Sequence, residues 1–145
     1  MLAGGSGPGG FNAVPSGNPT GTGSSLNYIG QFVYANSGGI GAGGSGNAIT
    51  QMEFTTSGNR VIVGEFALNG AVLSSDQDTG STCAFEIFLN DEVILKTKVD
   101  TLQEDQPASM VFPILIPPQS KVKITAMCSN TNGETTVNLV GRHYG

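Results

Sequence analysis

Tryptophan is absent from this chain, histidine occurs once and cysteine twice. From Met1 to Met52 there is no Asp, Glu, Lys or Arg at all. Each shortage removes a class of function. A hydrolase needs a nucleophile with a base in reach, or two carboxylates across a cleft. The lone His143 lies near the end of the sequence and reads as a polar residue on an edge strand or at an interface. The acidic pairs Asp91-Glu92 and Glu104-Asp105 fall at predicted loop tips, where carboxylates are solvated. The glycine runs lack the lysine and the following helix of a phosphate-binding loop. Two cysteines and one histidine without a C-x-x-C spacing do not make a zinc site. The acidic spacing from Asp76 to Gly80 lacks the further ligands and closing glutamate of a calcium loop. The chain is therefore expected to be no enzyme, and to hold no cofactor and no metal.

Basic residues are also scarce. The 145 residues carry a net charge of -5, the wrong sign for neutralising nucleic-acid phosphates or binding an anionic membrane surface. No apolar run approaches the roughly 20 residues of a membrane-spanning helix. The opening MLAGGSGPGG has neither the basic start nor the apolar core of a secretory signal, which points to synthesis in a cytoplasm. Disulfides rarely persist there, so Cys83 and Cys128 read as buried free thiols acting as small hydrophobes. A disulfide or a metal site is the alternative.

What the chain does have is glycine, 22 residues of it, and short alternating runs. Residues 83–99 (CAFEIFLNDEVILKTKV) read as a β-hairpin, each arm alternating apolar and polar. A three-residue loop at Asn90-Asp91-Glu92 would pair Cys83 with Val99, Phe85 with Thr97, Ile87 with Leu95 and Leu89 with Val93. It would also set Glu86 against Lys96 on the opposite face, with Phe88 beside Ile94. A two-residue turn would mix the faces, because a one-residue slip exchanges them. Residues 120–128 alternate most cleanly, with Val122, Ile124, Ala126 and Cys128 inward and Lys121, Lys123, Thr125 and Met127 outward. Residues 49–56 and 135–145 read as strands. Residues 108–116 read as an edge or bulged strand because they contain Pro113. In residues 60–74, Val61 and Val63 share a face that Phe66 and Leu68 continue after a phase shift, which suggests a β-bulge at Gly64. Residues 26–35 carry Tyr28, Phe32 and Tyr34 on one extended segment with a kink at Gly30.

Strands at this spacing predict an all-β antiparallel sandwich of jelly-roll type. It spans residues 26–145, with a glycine-rich surface loop at 37–47. Residues 1–25 form an uncharged glycine-rich N-terminal arm punctuated by Leu2, Phe11 and Val14. Free in solution such a segment buries too little apolar surface to offset its ordering entropy, so it is expected to order against a partner.

Three stretches carry a resemblance: NPTGTGSSLNYIGQFVYANSG (18–38), IPPQSKVKI (116–124) and LVGRHYG (139–145). They resemble small virion structural proteins of tailed bacteriophages, the capsid decoration or cement proteins. The resemblance implies a sandwich on the outside of the phage head, made in the host cytoplasm. Its partners would be the major capsid protein and further copies of itself, as a symmetric oligomer bridging neighbouring capsomers; by analogy with other jelly rolls a trimer is expected first and a dimer second. Contact residues are then expected at Leu2, Phe11, Val14, Leu26, Tyr28, Phe32 and Tyr34, and on the outward faces at Phe88, Ile94, Met127 and Val140. The alternative from another class is a glycan-binding or receptor-facing virion protein of the same fold, in which exposed Tyr and Phe stack on sugar. In a third, an oligomeric surface protein, the arm is only a spacer.

Overall fold

The computed structural model describes residues 26–41, 47–56, 58–72, 81–101, 108–129 and 133–145. The arm, with Leu2, Phe11 and Val14, lies outside the described residues, as do the acidic stretches around Asp76 and Glu104. Every regular element among the described residues is a strand: β1 (Asn27–Ile29), β2 (Phe32–Asn36), β3 (Ile40–Gly41), β4 (Ile49–Thr55), β5 (Val61–Val72), β6 (Ser81–Leu89), β7 (Glu92–Thr101), β8 (Ala108–Ile116), β9 (Lys121–Cys128) and β10 (Gly133–Tyr144). They form two antiparallel sheets. The smaller runs β4-β9-β6-β7; the larger runs β1-β2-β10-β5-β8, with β3 also on β10.

The pairings are nested. β6 pairs with β7 across the Asn90-Asp91 turn. Outside it β5 pairs with β8, then β4 with β9, then β2 with β10. The chain behaves as one long two-stranded ribbon whose successive segments fold into alternate layers, with the 83–99 hairpin at its tip.

Alternation supplies the core. From the small sheet Met52, Phe54, Phe85, Ile87, Val122 and Ile124 point inward; from the large sheet come Val33, Ile62, Phe66, Leu68, Ile116, Val137 and Leu139. Each such side chain contributes about 1.5–3 kcal/mol by leaving water, enough together to hold two layers without a helix. A fully buried polar contact crosses the core between side-chain oxygens. In β9, Ile124 pairs with Met52 but Thr125 pairs with Thr50, so Gln51 is the extra residue of a bulge in β4. Gln51 is fully buried, and its Oε1 accepts from the Thr135 hydroxyl of the opposite sheet at 2.7 Å.

The hairpin keeps its expected body and changes its tip. Cys83 pairs with Val99, Phe85 with Thr97, Glu86 with Lys96 and Ile87 with Leu95. The loop, however, is the two-residue turn Asn90-Asp91, both residues in the left-handed region at φ 52° and 69°, the type I′ geometry that suits a twisted hairpin. Leu89 then pairs with Glu92 and Phe88 with Val93. Ile94 is the odd residue out, a bulge that absorbs the one-residue mismatch otherwise made by a two-residue turn.

Four other expectations are corrected. β5 has no phase shift: its register with β10 and β8 is unbroken, so Ile62 faces inward and Val63 outward. The segment around Gly30 is a hairpin, not a kinked strand. Ile29 pairs with Phe32 across Gly30-Gln31, with Gly30 at φ 61° in the first central position, the type II′ pattern. Cys83 and Cys128 are disulfide-bonded, with S–S 2.04 Å, because they are register partners on adjacent strands. His143 is not on an edge strand, since β10 runs between β2 and β5.

Candidate functional site: the outer face of the large sheet

The two outer faces differ in chemistry. On the small sheet, outward positions carry charge arranged in pairs: Lys96–Glu86 at 2.7 Å, Lys121–Glu53 at 3.2 Å and Lys121–Asp91 at 3.5 Å. Lys123 lies 5.6 Å from the centre of the Phe88 ring. The hydrogen bond to Glu53, then the charge of Asp91, holds the Lys121 ammonium above the ordinary lysine value. This is an ordinary solvated surface.

The outer face of the large sheet is apolar. Strict alternation on every strand, read through the cross-strand register, sets its residues in rows. One row runs Ile29, Phe32, Arg142, Val63, Leu115; the next runs Asn27, Tyr34, Val140, Glu65, Pro113; a third runs Asn36, Asn138, Ala67, Val111. Tyr144 adjoins the first row beside Val61. Eight of the ten large hydrophobic side chains exposed among the described residues belong to this face, from 38% exposed at Tyr34 to 64% at Ile29. The other two, Val93 and Ile94, sit at the bulged hairpin tip.

Charge on this face is sparse. Among the described residues it consists of Glu65, Glu134 and Arg142. The Arg142 guanidinium lies 5.4 Å from the Phe32 ring centre and 5.7 Å from that of Tyr144, and it donates to Gln31 Oε1. Stacked between two rings, it covers apolar surface while keeping its charge wet. Glu65 makes no ion pair among the described residues.

The edges of both sheets are guarded. β1 is three residues long, β8 carries Pro113, and β4 and β7 each contain a bulge. Short strands, proline and bulges all discourage pairing with another chain's strand.

At one end of this sheet lies the only cluster around a histidine. His143 Nε2 donates to the Gly30 carbonyl at 2.8 Å, and its ring meets that of Tyr28 edge-on at 5.3 Å. Arg60 lies 5.5 Å from the Tyr28 ring centre. The Tyr28 hydroxyl and His143 Nδ1 are buried and have no hydrogen-bond partner among the described residues. Among the described residues no nucleophile or carboxylate is bonded to this imidazole, and the cluster holds the β1–β2 hairpin against the end of β10. Among the described residues no group of three or more His, Cys, Asp and Glu could hold a metal ion, and no helix is long and apolar enough to cross a membrane.

The expected contact residues divide. Phe32, Tyr34 and Val140 come together on the large-sheet face. Phe88 and Met127 are half-buried on the small sheet's outer face, and Ile94 is at the hairpin tip. Leu26 is buried in the core and presents no surface, while Tyr28 is half-buried and packs against it. Ile29, Val63, Val111, Leu115 and Tyr144 complete the face and were not singled out in the sequence. Alternation within each strand does mark them, but only once the face opposite the core is known. No known protein family matches this chain, and comparison with curated proteins finds no match.

Proposed function

We propose that this chain is a non-enzymatic capsid decoration, or cement, protein of a tailed-phage virion, with a jelly-roll sandwich as its body. The jelly-roll reading is supported by the nested pairing β6·β7, β5·β8, β4·β9 and β2·β10, the order expected when one long ribbon is folded over into two intertwined Greek keys. The observation that carries the functional reading is the outer face of the large sheet. A row-ordered apolar patch with three charged residues, on a molecule whose sheet edges are guarded, is the surface of a protein that binds other protein. A cement protein needs such a surface, a stiff body and an arm that orders across a seam. The uncharged segment 1–25 with Leu2, Phe11 and Val14 suits the last of these, since it can be buried without desolvating ions. Many weak contacts per particle would then stabilise the shell through multivalency.

The test is co-sedimentation of the full chain, and of a form beginning at residue 26, with purified undecorated phage heads, together with particle melting. Binding and a raised melting point that both vanish without residues 1–25 support the reading; no binding by either form overturns it. The second reading, a glycan-binding or receptor-facing virion protein, draws on the exposed rings of Phe32, Tyr34 and Tyr144 beside Arg142. A glycan array probes it directly.

A further inference from the structure

We propose that the outer face of the large sheet is closed by a second copy of this chain, packed sheet against sheet about a two-fold axis. The inference deepens the proposed contact role of this face, and rests on it only in taking the face as protein-binding. It chooses self over a foreign partner for three reasons.

The first is charge. Glu65 pairs in register with Val140, and Arg142 is two residues further along the same neighbouring strand. The two opposite charges are thus diagonal neighbours on one face, about 7–8 Å apart at the backbone. They do not pair within the chain: Arg142 turns instead towards Gln31, Phe32 and Tyr144. A two-fold axis lying in the plane of the interface and passing between them brings Glu65 of each copy opposite Arg142 of the other. One face therefore carries both halves of the contact, the self-complementarity that an isologous interface requires.

The second is size. Strands about 4.8 Å apart and outward positions about 6.8 Å apart along each strand give five strands and four rows a footprint on the order of 20 by 20 Å, before side-chain relief is counted. Over two copies that is on the order of 800 Å², the scale of a weak, concentration-dependent contact.

The third is the guarded edges. With β1, β4, β7 and β8 each shortened, bulged or carrying proline, copies cannot readily join by extending a sheet, and the face is what remains. Val140 lies on the centre strand of this face and Leu115 on its edge strand, so the contact has an apolar middle around two symmetry-related Glu65–Arg142 pairs. A two-fold contact of this kind makes a dimer, not the trimer expected by analogy with other jelly rolls.

The experiment is sedimentation equilibrium of the full chain over a wide concentration range, with Glu65→Arg, Arg142→Glu, the double exchange, and Leu115→Glu. Circular dichroism and melting report whether each variant folds. The expected result is a wild-type dimer and roughly 100-fold or greater weakening in either charge reversal, where like charges meet twice. The double exchange restores the dimer, and Leu115→Glu weakens it. A monomer at all concentrations, a trimer, or a dimer indifferent to both reversals overturns the proposal. Co-sedimentation with undecorated heads separates the two readings. A wild-type monomer that still binds heads overturns only the homotypic contact; a charge-dependent dimer that never binds heads upholds it and removes the decoration reading.

Discussion

Gly64 and Gly141 face each other across β5 and β10 with room for a side chain at neither. A Cβ on Gly64 would lie 2.4 Å from the Val140 carbonyl oxygen and 2.7 Å from Gly141 Cα, and one on Gly141 would lie 2.7 Å from the Val63 oxygen. The obstacle is backbone on both sides, so it cannot swing away. These strands are the middle of the large sheet and carry both Glu65 and Arg142, so the close approach also sets the geometry of the candidate interface. Gly64→Ala is expected to cost about 2–3 kcal/mol by chemical denaturation. Gly58→Ala, where nothing lies within 4 Å, should stay within about 0.5 kcal/mol. Equal effects at the two sites would sink this account.

The Gln51–Thr135 bond ties the layers at one polar point. Thr135→Val keeps the shape and leaves the buried Gln51 Oε1 unsatisfied, which costs about 1–3 kcal/mol. Gln51→Met in the same background should recover part of that loss, because removing both partners of a buried bond is cheaper than removing one. Additive losses in the double mutant would show that the bond is not what the site depends on. Urea melts of the four proteins in the cycle decide it.

The disulfide closes a loop of sequence separation 45. In chain-entropy terms this stabilises the fold by about 4 kcal/mol. Both cysteines are fully buried, so a mild reductant is expected to leave the native protein oxidised while denaturant plus reductant does not. Cys83→Ala/Cys128→Ala should fold with a clearly lower melting temperature. Ready labelling of native protein by a thiol reagent after mild reduction would contradict the burial argument.

Lys121 gives a sign that can be checked against pH. Its folded-state pKa is raised above the ordinary 10.5, first by the hydrogen bond to Glu53, then by the charge of Asp91. A raised folded pKa stabilises fully below the unfolded value and fades as pH climbs through the folded one. Wild type should therefore melt slightly higher than Lys121→Met at pH 8, with the gap closing in the alkaline range above the ordinary lysine value. The gap is small because the ammonium is solvent-exposed. A gap that widens with pH would reverse the assignment.

Alternation made most of the fold legible. Residues 108–116 and 121–128 are strands, with Val122, Ile124, Ala126 and Cys128 inward as expected. Thr125, expected outward, is buried, and Pro113 marks an edge strand. What could not be read were the places where alternation is interrupted by one residue. At the hairpin tip the same pattern fits an odd loop, or a two-residue turn plus the Ile94 bulge; only the left-handed backbone of Asn90 and Asp91 separates them. In β4, Gln51 and Met52 are buried in succession because a bulge turns both inward, a burial no composition rule assigns to glutamine. In β5 the reverse error arose: Gly64 suggests a bulge, yet the glycine is there for its partner strand. The disulfide and the large-sheet face share one cause of illegibility, since each depends on which distant strands lie side by side. Val63 and Leu115 become neighbours only through a pairing that encloses the whole 83–99 hairpin.

The nested ribbon bears on how the chain reaches this state. Its outermost contacts are long in sequence: Asn36 bonds to Asn138 across 102 positions, the kind of separation that makes β-proteins slow to fold. Nesting breaks that distance into stages. Once the Asn90-Asp91 turn has formed, each later pair encloses the one before it and adds only the residues between them to the loop. Because the closure penalty grows with the logarithm of loop length, every added layer costs little more than the last. Folding is then expected to zip outward from the tip, with Asp91 substitutions slowing the folding rate and substitutions in β2 chiefly speeding unfolding.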